Sequence, residues 1–192
     1  MFQRVFVDSN VLFSRTTRDW LFLLRRETRN MFQVHSTIDV IAEVVRAVRR
    51  EKPQAAGAVT RRLHDLLVDS LDEIVPDYDP AVPFGGHDRD DLHVHAAAMA
   101  SGADILLTSN ERDFGDTDEL PYEIYAPDDF FVLVDDGAPD AVRRVVMEQI
   151  RYWAAQRRRG RSIRGLEEAL IRAGCPEFAA RVTTHRRARA GQ

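Results

Sequence analysis

The chain has a single cysteine, Cys175, and a single lysine, Lys52, among its 192 residues. One thiol excludes an intramolecular disulfide and any zinc site built from several cysteines. No apolar run reaches the ~20 residues that a membrane-crossing helix needs, so no membrane role is expected. The opening residues, MFQRVFVDSN, lack the apolar core and cleavage site of a secretion signal. The expected compartment is therefore the cytoplasm. With Lys nearly absent, the abundance of Arg is a property of composition and says nothing by itself about phosphate recognition.

What is present describes a globular chain. Apolar residues make up 44% and charged residues 30%, enough for one domain of ordinary size with a core, plus an appendage. The net charge of −4 hides a split. Residues 1–140 hold 14 Lys and Arg against 27 Asp and Glu, while residues 141–192 hold 13 Arg against 4 Glu. Acidic clusters suit metal ions, and Arg clusters suit phosphate backbones. Attraction between an acidic body and a basic tail explains the split equally well.

Hydrophobic patterning predicts strands at residues 2–7, 32–36, 74–75, 105–107 and 122–126. Between them it predicts helices at 18–29, from Ser36 as N-cap with Asp39 completing the cap, from Pro53 to about 72, and from Asp88 to about Ser101. PDYDPAVPFGG reads as a loop. Strands alternating with helices predict an α/β fold, a parallel sheet covered on both faces. Pro127 starts a helix carrying Phe130, Phe131 and Leu133, and DDGAPD (135–140) reads as a boundary. Beyond it, Val142, Val145, Val146, Ile150, Trp153 and Ala154 form one stripe of an amphipathic helix, broken at RRRGRS. Two short helices follow, at about 163–173 and 177–187. The expected division is 1–136 and 137–192.

Acidic residues sit where parallel topology brings elements together. Asp8 ends the first strand. Glu43 lies in the helix from Ser36. Asp90 and Asp91 lie in the first turn after Asp88, and Asn110 and Asp113 follow the 105–107 strand. Each has a structural explanation taken singly: a turn, a solvated flank, or a charge on a helix dipole. Together they predict one acidic crevice at the C-terminal edge of the sheet. Such oxygen donors suit Mg2+ or Mn2+. Two such ions, roughly 3.5–4 Å apart, can stabilise the attacking and leaving oxygens of a phosphodiester. No Ser or Cys nucleophile is then required.

Four stretches carry a resemblance to a known family. VFVDSNVLFS, TIDVIAEVVRAV, DRDDLHVHAAAMASGADILLTSNERDF and APDDFFVLV resemble, in order and spacing, the motifs of PIN-domain ribonucleases. The likeness is greatest to the VapC-type toxins of bacterial toxin–antitoxin pairs. It spans residues 2–134 and implies a PIN-like α/β/α sandwich followed by a small helical module. It also implies an Mg2+- or Mn2+-dependent endoribonuclease with an RNA substrate, a homodimer, and an antitoxin that blocks the active-site groove. By position, the implied metal ligands are Asp8, Glu43, Asp91 and Asp113, with Asn10, Asp90, Thr108 and Asn110 in support. Asp91 is preferred to Asp90 because Val94 and Ala98 follow it at the family's spacing. His95 stands where the family has a small or apolar residue; a hydrogen-bonded, half-buried His is expected there, and His93 is expected to face outward.

The basic tail exceeds a minimal PIN domain. Arg157, Arg158, Arg159, Arg161 and Arg164 are candidates to hold RNA, or to form a solvated face. Other functional readings are a non-catalytic RNA-binding or protein-docking PIN domain and an RNA-processing nuclease that is not a toxin. A phosphatase with an Asp nucleophile is disfavoured, because Asn10 stands where such enzymes usually carry a second Asp.

Overall fold

The structure is a computed structural model. It describes residues 3–29, 31–115, 119–159 and 165–190. In chain order the elements are β1 (Gln3–Val7), α1 (Ser9–Phe13), α2 (Arg15–Thr28), β2 (Phe32–Ser36), α3 (Ile38–Glu51), α4 (Gly57–Ser70), β3 (Glu73–Ile74), α5 (Leu92–Ala100), β4 (Ile105–Leu107), β5 (Glu123–Tyr125), α6 (Pro127–Gly137), α7 (Pro139–Arg158), α8 (Leu166–Arg172) and α9 (Pro176–Ala190). Single 3-10 turns lie at Arg89–Asp91 and Glu111–Phe114.

The five strands form one sheet in the order β3-β2-β1-β4-β5, parallel at every pairing. This is the expected α/β class, a parallel sheet flanked by helices and followed by a helical C-terminal region. Val5, Phe6 and Val7 of β1 and Ile105, Leu106 and Leu107 of β4 are all but fully buried. Strands covered on both faces have no polar side to alternate, which is why both read as continuous apolar runs. The chain leaves β1 for β2 on one side and later returns to β4 on the other. The crevice beyond β1 and β4 is therefore the switch point where open parallel sheets bind ligands.

Two local expectations are corrected. Thr37, not Ser36, caps α3: its hydroxyl accepts from the Val40 N–H at 3.2 Å. The Ser36 hydroxyl instead donates to the Val7 carbonyl on the neighbouring strand, at 3.0 Å. Pro53 starts no helix, because α4 begins only at Gly57.

Contacts divide the chain into two compact units, Met1–Ser14 with Asn30–Ala126, and Arg15–Arg29 with Pro127–Gln192. The first holds the sheet and α1, α3, α4 and α5. The second holds α2 and α6 to α9, so an early helix packs with the C-terminal ones. Its core includes Trp20, Phe131 and Phe178, with Phe178 5.0 Å from Trp20 and 5.2 Å from Phe131 between ring centres. The Asp128 carboxylate accepts from the Glu177 and Phe178 N–H groups at 3.0 and 2.8 Å, capping the start of α9.

Candidate functional site

Asp8 follows the last residue of β1, and its N–H continues the ladder to the Leu107 carbonyl at 3.1 Å. That pairing sets Asp8 beside Thr108, the residue after β4. The Thr108 hydroxyl donates to Asp8 Oδ2 at 2.7 Å, and Asn10 Nδ2 reaches the same oxygen at 2.6 Å. The Ser9 N–H binds the other oxygen. Asn10 also ties the two strand ends together, since Nδ2 reaches Thr108 Oγ1 at 3.0 Å and its Oδ1 accepts from the Ser109 N–H at 3.0 Å. Asn110 contributes its main chain, its N–H bonding to Thr108 Oγ1 at 3.1 Å. Asp8 is only 3% exposed. Burial raises its pKa despite the Thr108 and Ser9 hydrogen bonds, and the nearby Glu43 adds to the rise.

A second carboxylate group forms around Asp91. Asp88 caps the Arg89–Asp91 turn, accepting from the Asp90 N–H at 2.9 Å. The His87 N–H donates to the Asp113 carbonyl at 2.9 Å, drawing the loop before Asp88 against the turn that carries Asp113. Gly86 permits this approach, because a Cβ there would collide with the Asp113 carbonyl. As a result, Asp88, Asp91 and Asp113 each place a carboxylate oxygen within 4.8 Å of the others. The pKa of Asp91 is pushed up to about 6 by burial first, then by the charges of Asp8, Asp88 and Asp113. The same repulsion shows that Asp8 borders the group.

Glu43, on α3, faces His93 on α5, with Nε2 3.1 Å from the carboxylate. Burial works to raise the Glu43 pKa, but His93 and Ser9 outweigh it and hold it below the usual value. Glu43 in turn raises the pKa of His93, whose Nδ1 lies 2.7 Å from the Asp90 carbonyl. His93 thus faces inward, correcting the outward expectation. The His–Glu pair spans 50 positions of sequence, and no local pattern announces it. His95 is buried, with Nδ1 2.6 Å from the Tyr122 hydroxyl and its ring against Phe84.

The structure therefore gathers Asp8, Asn10, Thr108 and Asn110 at one point, Asp91 and Asp113 beside it, and Glu43 within electrostatic reach of Asp8. Asp90 supplies main-chain contacts and its side chain is exposed. Asp88 was not expected as a site residue; its capping position explained it structurally and so masked it. Three clustered carboxylates, one of them holding its proton unusually well because of its burial first and its charged neighbours second, fit a hard divalent cation, which oxygen donors favour. Among the tail candidates, Arg157, Arg158 and Arg159 are exposed at the end of α7. Arg161 and Arg164 lie outside the described residues.

The family model for the PIN domain matches residues 4–112. No curated protein and no solved structure matches the chain.

Proposed function

The chain belongs to the PIN-domain family, and from that premise we propose that it is a metal-dependent endoribonuclease that hydrolyses RNA phosphodiester bonds. The observation that carries the reading is the carboxylate cluster of Asp88, Asp91 and Asp113, with buried Asp8 beside it at the switch point of the sheet. Mg2+ or Mn2+ would be held by Asp8, Asp91 and Asp113 with Glu43 nearby, and Asp88 joins this set. When bound, the ion supplies Lewis-acid activation of water and of the scissile phosphate.

The remaining work falls to the chain. Asn10 and Thr108 hold Asp8 in one orientation through direct hydrogen bonds. His93 positions Glu43 through the 3.1 Å contact of its Nε2 with the carboxylate. The main chain of Asn110 fixes the Thr108 hydroxyl. With water as the nucleophile, the products carry a 5′-phosphate and a 3′-hydroxyl.

The finer assignment is the toxin of a toxin–antitoxin pair, acting as a homodimer and held by an antitoxin seated on the groove. Its support is the resemblance of the four motifs. The deciding experiment incubates purified protein with total RNA and Mg2+ or Mn2+, beside EDTA and Asp8→Asn controls. Cleavage that needs the metal and is lost in the variant supports the nuclease. Folded protein that leaves RNA intact under every metal condition overturns it in favour of a binding module.

A further inference from the structure

Within the helical unit, α2, α7 and α8 line a partly open cavity of about 200 Å³. Its walls include Trp20 from α2, Tyr152 and Trp153 from α7, and Leu166 from α8. Gln156, one turn beyond Tyr152 on α7, also lines it. Gln156 is 8% exposed, and its Oε1 is buried with no hydrogen-bond partner among the described residues. A buried acceptor left unpaired is costly and rare in folded proteins. The cavity therefore combines aromatic residues with polar ones, Arg15, Asp19 and Gln149, and with one buried acceptor that lacks an N–H donor. The volume is below the roughly 300–1,000 Å³ of pockets for drug-sized ligands, which suits a single planar ring system.

We infer that this cavity is a nucleobase site, in which a base lies among Trp20, Tyr152 and Trp153 and donates an N–H from its edge to Gln156 Oε1. Aromatic side chains hold unstacked bases in this way, and an amide reads the base edge. The exposed Arg157, Arg158 and Arg159 follow Gln156 directly. They enter no ion pair with another described residue and supply the charge that a phosphate attached to that base requires. The ring and its edge donor are the shared chemistry of a free nucleotide and of one base in single-stranded RNA. The RNA source rests on the nuclease reading above, whereas the cavity itself does not.

The test is intrinsic tryptophan fluorescence of the full chain carrying Asp8→Asn, in EDTA, titrated with the four nucleoside monophosphates and with short single-stranded oligoribonucleotides. Saturable quenching is expected. Gln156→Met, which keeps the length of the side chain and removes the acceptor, should weaken it roughly tenfold, the scale of one hydrogen bond. The same variant should melt no lower than its parent, because the lost oxygen has no partner among the described residues. Quenching by monophosphates identifies a nucleotide site, and quenching by oligoribonucleotides alone identifies an RNA base site; both support the inference. Absence of saturable binding to either by folded protein overturns it, as does binding indifferent to Gln156→Met. RNA cleavage is scored separately on the chain with Asp8 intact, so an inactive nuclease that still binds a base, and an active one that does not, are told apart.

Discussion

Asp91 is where the demands of the site and of the fold oppose one another. Its pKa of about 6, against an ordinary 3.8, means that the folded protein binds this proton more tightly than the unfolded chain does. The resulting stability is fully present below 3.8 and is lost as pH rises towards about 6. Above that window the metal-free protein carries the cost of a charged Asp91, from its burial first and then from its repulsion with Asp8, Asp88 and Asp113. Asp91→Asn removes it. In EDTA, the variant should melt higher than wild type at neutral pH, with the gap opening as pH rises across that window; thermal melts at a series of pH values measure this. Mn2+ should reverse the order at neutral pH by stabilising wild type alone, and RNA cleavage by the variant should fall roughly 100-fold or more. A variant that melts below wild type in EDTA at neutral pH would refute the repulsion argument. Cys175 makes a contrasting case: burial, then Asp128 and Asp129, push its thiol up to about 12. The native protein should not react with a thiol reagent until it is denatured.

At the scale of elements, the site depends on two loops meeting. Gly115 has φ +77, and a Cβ there would press on the Gly85 carbonyl. Gly115→Ala should push the 84–88 loop away from the turn holding Asp113, separating Asp88 from its partners. Mn2+ affinity, read by calorimetry, should drop while the far-UV circular dichroism holds. Unchanged affinity would mean that Asp88 contributes nothing to the ion site. The strands were legible because VFV and ILL are short apolar runs bounded by polar residues, and Asp8 was legible because a carboxylate directly follows the first of them. Other features depended on distant partners. The Ser36 hydroxyl is claimed by Val7 across the sheet, leaving Thr37 to cap α3. Glu43 faces a His that no periodicity connects to it. The start of α9 is capped by Asp128, 49 positions before Glu177. Asp128→Ala should cost about 1–2 kcal/mol in denaturant unfolding, the range for a lost helix cap, and Asp128→Asn should cost less.

On the scale of the whole chain, the order of residues and the order of packing diverge. Composition places a change of character near residue 136, since acidic sequence gives way to basic. Contacts instead join Arg15–Arg29 to Pro127–Gln192. Amphipathicity marks α2 as a helix with one apolar face, but it does not say which elements cover that face. The residues that cover Trp20 include Phe178, more than 150 positions later. Deleting residues 137–192 would therefore leave buried Trp20 without the edge of Phe178, and Phe131 without its ring. Exposed aromatic surface of this kind drives association. The truncated chain should be recovered mostly as aggregate, or should melt well below the full chain by differential scanning calorimetry. Trp20→Ser in the truncated chain should restore solubility, because the deleted helices would no longer be needed to cover that position. A soluble truncated protein that melts with the full chain would show that the sheet unit and α2 are self-sufficient, and that the C-terminal helices serve ligand binding rather than the fold.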